Sequence, residues 1–366
     1  MVGLRARLAD WRNRLLANPR FRASAGRIWP FRLLARRSAR RLFDISAGFV
    51  YSQTLMSCIE VGWFDALAGG PQSLDELARL ASLDRAAAAR LARAASSLDL
   101  LEARGQDGFA LGPLGAALIG DRGITAMAQH HAMLYADMAK PLALLRGERD
   151  VTALEDFWGY ARASDPAQLE AERVRAYSQL MADSQPMIAE QVLAAYRFDR
   201  HRHLLDVGGG TGAFLAAVHA RYPEVERTLF DLPGVVANVD AAAPDAPHIA
   251  PGSFRADDLP RGADVISLVR IVHDHDDDVV LELLARARAA LPDSGTLVIA
   301  EPMAGTPGAE PVGDAYFGFY LLAMGSGRAR TRAEIDALLK ASGFGPSQWH
   351  PTPIPLICSV ISTHPV

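Results

Sequence analysis

Leu204-Leu205-Asp206-Val207-Gly208-Gly209-Gly210-Thr211-Gly212 decides how this 366-residue chain is read. The apolar run HLLDV (203–207) has the length of a buried strand, and GAFLAAVHARY (212–222) behind the glycines has helical periodicity. A glycine turn between strand and helix lies at the carboxyl end of a strand, where open α/β sheets bind ligands. Glycine there lets the backbone turn sharply and approach the ligand closely. Gly208-x-Gly210-x-x-Ala213 also fits a dinucleotide-binding turn. Asp206 argues against that, because a carboxylate facing a pyrophosphate is unfavourable. It suits the cationic methionine end of S-adenosylmethionine (SAM).

Downstream, short β-rich runs alternate with helical ones. The strands read as 203–207, 227–232, 248–254, 263–269 and 296–302, with helices GVVANVDAAA and DDVVLELLARARAAL among them. The tail adds the helix TRAEIDALLKASGF and two closing strands, SQWHPTP and LICSVIST. The pattern predicts an α/β fold, a Rossmann-like doubly wound sheet of seven strands whose last strand is antiparallel. Asp231 closes the second strand nineteen residues past Gly212, where an acid accepts both ribose hydroxyls. Ser253 and Phe254 are expected to end the third strand and touch the adenine.

The fourth strand runs into Arg270-Ile271-Val272-His273-Asp274-His275-Asp276-Asp277-Asp278. His-x-His-x-Asp resembles a binuclear metal cluster, but only His350 and His364 follow as further histidine ligands. The preferred reading is one general base, His273, beside the SAM site, with no metal. Asp276–Asp278 then occupy the first turn of the next helix, where its dipole favours acids. Glu301, ending the fifth strand, is expected to orient His273 and stabilise its imidazolium.

Upstream, residues 42–68 read as two apolar-faced helices stopped by Gly69-Gly70-Pro71. Ser73 and Glu76 form a capping box for SLDELARLA, followed by a second helix at 84–98 and the hairpin-like GQDGFALGPLG. That order is winged-helix-like. The second helix is mostly alanine and offers only Arg85, Arg90 and Arg93, too few base-reading side chains for nucleic acid. Residues 123–200 are helical and rich in Met127, His130, His131, Met133, Tyr135, Met138, Trp158, Tyr177, Met181 and Met187. They form an adaptable core, a malleable lining for a bulky apolar ligand, or both.

Residues 1–41 hold twelve arginines against one acid, Asp10, interleaved with Leu, Trp11, Trp29 and Phe31. In a chain of net charge −4 that is +11 locally and −15 elsewhere. A solvated basic leader would look like this, and so would a segment resting on anionic lipid. With 50% apolar and 22% charged residues the remainder is ordinary globular sequence. Cys58 and Cys358 are too few and too distant for a disulfide framework. The longest apolar run, Ala315–Met324, is too short to span a bilayer, and no signal peptide is evident. The expectation is a cytoplasmic protein, peripheral at most on the inner-membrane surface. Its parts are a leader (1–41), a helical winged-helix-like domain (42–200) and a catalytic domain (201–366).

LLDVGGGTG, the FDLP strand, the His-Asp of VHDHDDD and Glu301 in VIAEP together resemble the plant-type and acetylserotonin-type O-methyltransferases over roughly residues 42–362. The resemblance implies an intertwined homodimer and a SAM site at Asp206, Gly208, Gly210, Asp231, Ser253, Phe254 and Arg270. It also implies catalysis by His273 with Glu301. Two positions depart from that family. Ser253 stands where an aspartate is usual, and Ala329 where a second acid flanks the base, which leaves Glu301 to hold His273 alone. LFDISAGFVYSQ, VRIVHDHDDD and GDAYFGFYLLAMGSGRART are similar to the bacterial subgroup acting on demethylspheroidene and hydroxyneurosporene. This implies methylation of the C1 tertiary hydroxyl of an acyclic carotenoid. The alternatives are an O-methyltransferase of a soluble phenolic or polyketide, and a SAM-binding protein or winged-helix regulator without methyl transfer.

Overall fold

The arginine-rich start of the chain is helical, in α1 (Val2–Ala17) and α2 (Pro19–Ala25), and runs into α3 (Phe31–Glu60) without a break at residue 41. No glycine or proline interrupts 31–47, so nothing stops that helix locally. The computed structural model describes residues 2–25, 27–29, 31–120, 122–148, 151–158 and 184–366. Contacts divide the chain into two units, Met1–Ile119 and Gly120–Val366. The helices expected between 123 and 200 therefore fall with the sheet; Tyr177 and Met181 lie outside the described residues.

The first unit continues with α4 (Trp63–Ala68), β1 (Gln72–Ser73), α5 (Leu74–Leu80), α6 (Arg85–Ser97), β2 (Leu101–Arg104), β3 (Gly108–Leu111) and α7 (Pro113–Gly120). The strands form an antiparallel sheet in the order β1-β3-β2. The Ser73–Glu76 capping box starts α5, and Asp84 caps α6. Ala88, Ala92 and Ala95 lie on one face of α6 and are fully buried; their small size lets the helix pack closely on Cys58, Trp63 and Leu77. Trp63 donates its indole N–H to the Leu77 carbonyl at 3.0 Å. Arg85 is tied to Asp75 and Asp107 at 2.7 and 2.9 Å.

The second unit opens with α8 (Arg122–Asp137), α9 (Pro141–Arg146), α10 (Ala153–Phe157) and α11 (184–195). Then come β4 (His203–Val207), α12 (Ala213–Arg221), β5 (Glu226–Asp231), α13 (Pro233–Val236), β6 (His248–Pro251), β7 (Val265–Val269), α14 (Asp277–Ala290) and β8 (Thr296–Glu301). A π-helix, Pro311–Phe317, leads into α15 (Gly318–Met324), α16 (Arg332–Ala341), β9 (Gln348–His350) and β10 (Ser359–Thr363). The seven strands lie in the order β6-β5-β4-β7-β8-β10-β9. β4 to β8 are mutually parallel, and β10 runs antiparallel to both β8 and β9.

The apolar strand runs are explained by cover on both faces. Leu205, Ile266, Leu268, Leu297 and Ile299 pack with Leu283 and Leu284 of α14 and with Ile335 of α16. Their neighbours Leu204, Val265, Val269, Val298 and Ala300 pack the other way, with Val192 of α11 and Phe214 and Val218 of α12. The third strand stops at Pro251, earlier than expected, so Ser253 and Phe254 stand in the turn beyond it.

Candidate active site

The carboxyl ends of β4, β5, β7 and β8 carry Asp206, Asp231, Arg270 and Glu301 at one edge of the sheet. Asp206 is buried; its Oδ1 accepts from Ser267 Oγ at 2.5 Å and its Oδ2 has no partner. Burial, with Asp231 nearby, pushes this carboxyl up to about 7 despite the serine. Asp231 accepts from the Gly210 and Leu232 backbone N–H groups, both at 2.7 Å, and burial still raises it to about 6. Gly208 and Gly210 adopt φ of 71° and 62°. A side chain on Gly209 would strike the Asp206 carboxylate and come within 2.6 Å of Leu229. The turn is thus shaped around two carboxylates and an open backbone.

Other expected residues lie differently. Ser253 is engaged in its own turn, its N–H donating to Asp257 at 2.8 Å and its hydroxyl accepting from the Arg255 N–H at 3.3 Å. Phe254 meets the ring of His275 edge-on at 5.2 Å. Arg270 takes the left-handed backbone region at φ 60°, uncommon for a side-chain-bearing residue and typical of functional junctions. Its Nη1 donates to Ser184 Oγ at 2.9 Å.

His273 and Asp274 occupy a buried 3₁₀ turn, Val272–Asp274. Glu301 accepts from the backbone N–H of His273 at 3.0 Å, not from its ring. The ring partner is Asp274, with Nε2 to Oδ1 2.9 Å, while His273 Nδ1 is buried without a partner. His273 is therefore not held by Glu301 alone: the adjacent Asp274, read from the sequence only as part of the motif, holds the ring. Burial lowers the imidazole pKa, but the charge and hydrogen bond of Asp274, with the charge of Glu301, outweigh it and raise the net value. Burial likewise opposes the Asp274 carboxylate, and His273 outweighs it, so Asp274 sits below its ordinary value. Burial raises Glu301. His275 is pushed down to about 4 by burial and faces Phe254 and Arg255 instead of joining His273. Among the described residues no group of three or more His, Cys, Asp or Glu gathers as metal ligands.

The ring of Phe317, last residue of the π-helix, stacks on that of His273 at 5.5 Å. Behind it Tyr316 and Tyr320 pair with His131 and His130, both at 2.6 Å, and Trp158 donates to Tyr320 at 2.9 Å. Burial lowers both histidines, His130 to about 4, so both stay neutral near neutral pH. Met133 and Met138 pack in the same cluster, whereas Met187 packs against the sheet core.

Residues 137–345 match the O-methyltransferase domain, and residues 43–121 match the O-methyltransferase dimerisation domain. The demethylspheroidene O-methyltransferase of Rhodobacter capsulatus is 44% identical over 328 residues, covering 90% of this chain and 82% of that protein. The chain belongs to the O-methyltransferase family. The demethylspheroidene O-methyltransferase of Cereibacter sphaeroides is 40% identical, covering 95% of this chain and 93% of its own. The structure of CalO1, a methyltransferase in calicheamicin biosynthesis in its SAH-bound form, is 26% identical at a TM-score of 0.76, covering 90% and 98% of the two chains. This O-methyltransferase uses SAM as its methyl donor. Its glycine turn fits that group: the buried Asp206 Oδ2, without a partner of its own, offers an acceptor for the cationic methionine end, and the left-handed Gly208 and Gly210 leave the backbone open beside it.

Proposed function

We propose that this O-methyltransferase methylates the C1 tertiary hydroxyl of an acyclic carotenoid, with His273 taking the hydroxyl proton. Asp206, Gly208, Gly210 and Asp231 would hold SAM, with Arg270, Ser253 and Phe254 at the rim of that site. The carrying observation is the buried His273–Asp274 pair with Nδ1 left without a hydrogen-bond partner. Bound SAM supplies an electrophilic methyl carbon on a positively charged sulfur. Asp274 accepts the Nε2 proton of His273 and so fixes the tautomer whose Nδ1 lone pair is free. The methyl carbon–sulfur bond would break as the acceptor oxygen bonds to that carbon, the sulfur keeping the electron pair as a neutral thioether, and the hydroxyl proton would pass to Nδ1 of His273. Asp274 and Glu301 then stabilise the imidazolium. A tertiary alcohol is a weak acid, so proton removal accompanies methyl transfer and the base matters more than it would for a phenol.

The acceptor class is supported by the similarity to two demethylspheroidene O-methyltransferases and by the aromatic and methionine cluster behind Phe317. The test is to incubate the protein and methyl-labelled SAM with demethylspheroidene or hydroxyneurosporene in lipid micelles, beside catechols and flavonoids. Label in the carotenoid supports the proposal. Label only in phenols overturns the acceptor class, and label in neither overturns the transfer reaction.

The dimerisation-domain match supports a homodimer. Residues 1–41 supply peripheral contact with an anionic membrane from the cytoplasmic side, where an acyclic carotenoid dissolves. Trp11, Trp29 and Phe31 are exposed among the arginines, as interfacial segments require. No helix among the described residues is long and apolar enough to cross a membrane. The chain should sediment with phosphatidylserine-containing vesicles and not with phosphatidylcholine alone. Equal recovery with both, or with neither, contradicts this contact. Nucleic acid is not expected as a partner, since Arg85 of α6 is already engaged by acids.

A further inference from the structure

Arg330 has a fully buried guanidinium far in sequence from the turn it serves. Nη1 donates to the Val272 carbonyl at 2.7 Å, and Nη2 to the His275 carbonyl at 2.8 Å. Nε and Nη2 also reach Asp277 Oδ1, at 2.8 and 2.6 Å, on the first residue of α14. The two carbonyls lie on either side of His273 and Asp274. The two carbonyls between them are held from the same segment: the Arg328 N–H donates to His273 O at 2.9 Å and Ser326 Oγ to Asp274 O at 3.1 Å. Four consecutive carbonyls, from Val272 to His275, are therefore held by residues 326–330. Gly327 passes so close that a side chain there would collide with the His273 carbonyl and come within 2.8 Å of Asp274 Cα. From the opposite side Glu301 holds the His273 N–H.

A single 3₁₀ turn fixes little by itself, because it closes few of its own hydrogen bonds. The planar fork of arginine reaches two carbonyls and a carboxylate at once, and a lysine ammonium on a flexible stem cannot reproduce that geometry. A buried guanidinium is unfavourable unless it is paired and hydrogen-bonded, and here its short hydrogen bonds go to the segment that carries the imidazole and to the helix start after it.

We propose that Arg330 is a positioning residue for methyl transfer: it sets the turn that carries His273 and acts on the reaction only through that histidine. The proposal rests on His273 being the base, and the test separates the two. Arg330→Lys, His273→Ala and the double variant are made in the full chain. Each is measured for turnover, KM for the hydroxyl acceptor and SAM affinity by calorimetry. Arg330→Lys is expected to lower kcat by about 100-fold, the cost of an ångström-scale misplacement. KM and SAM affinity should stay within about threefold of wild type. In the His273→Ala background the same substitution should change nothing further, because residues acting through one group are not additive. Wild-type-like kcat in Arg330→Lys, or an undiminished loss in the His273→Ala background, overturns the positioning role. Wild-type-like turnover of His273→Ala instead overturns the base assignment and the proposal with it. If Arg330→Lys does not bind SAM, Asp277→Asn loosens the same fork more mildly. A lower kcat at unchanged KM then supports the role, and an unchanged kcat contradicts it.

Discussion

Replacing Asp274 by asparagine removes the charge beside His273 while keeping an oxygen near Nε2. The pair is buried, with Nε2 and Oδ1 2.9 Å apart, and breaking a buried ion pair costs about 3–5 kcal/mol. The imidazolium is only partly formed when the methyl group is half transferred, so about half of that, ~2 kcal/mol, reaches the barrier. This corresponds to about a 30-fold lower kcat. The pH profile should move as well. Asp274 is the leading influence raising the imidazole against its own burial, so without that charge the His273 pKa falls. The base is then free at lower pH, and the acidic limb of kcat shifts downward while its plateau drops. The assay is methyl transfer from labelled SAM across pH 5–9, with SAM affinity measured in parallel. An unchanged plateau with an unmoved acidic limb would refute the reasoning.

Two further substitutions test the proposed donor site. Asp206 is raised to about 7 by burial, so between its ordinary pKa and about 7 the folded chain holds a proton that the unfolded chain releases. This group therefore takes stability away as pH rises through that window. Asp206→Asn should raise the apo melting temperature at pH 8 by at least about 2 °C and weaken SAM binding, read by scanning fluorimetry and calorimetry; a lower melting temperature or unchanged affinity contradicts this. Gly209→Ala brings a methyl group against Asp206 and Leu229. It should weaken SAM by about tenfold, the effect of ~1.4 kcal/mol, and wild-type affinity would show that the turn has more room.

The sheet was legible because both its faces are covered, which makes every central strand a continuous apolar run. Asp206 and Asp231 were legible because each ends its strand, at Val207 and at Asp231 itself. His273 stood out as an imidazole just beyond a strand. Its ring partner did not, because a single 3₁₀ turn has no sequence period to show which way Asp274 points. Glu301 was placed beside the right residue, but only coordinates distinguish a bond to the His273 backbone from one to its ring. Ser253 and Phe254 lie beyond the strand because Pro251-Gly252 stops it: proline brings no ladder N–H and the pair favours a turn, a signal the reading of HIAPGSF as one strand passes over. Arg330 was not identified because a lone arginine reads as a surface charge; its burial depends on carbonyls more than fifty residues away.

The most direct test of the account is single-turnover methyl transfer by wild type and His273→Ala with SAM saturating and an acyclic hydroxycarotenoid in micelles. With His273 as the base, the transfer rate should fall by about 10²–10⁴-fold with SAM affinity unchanged. A His273→Ala protein that transfers methyl at the wild-type rate would contradict it.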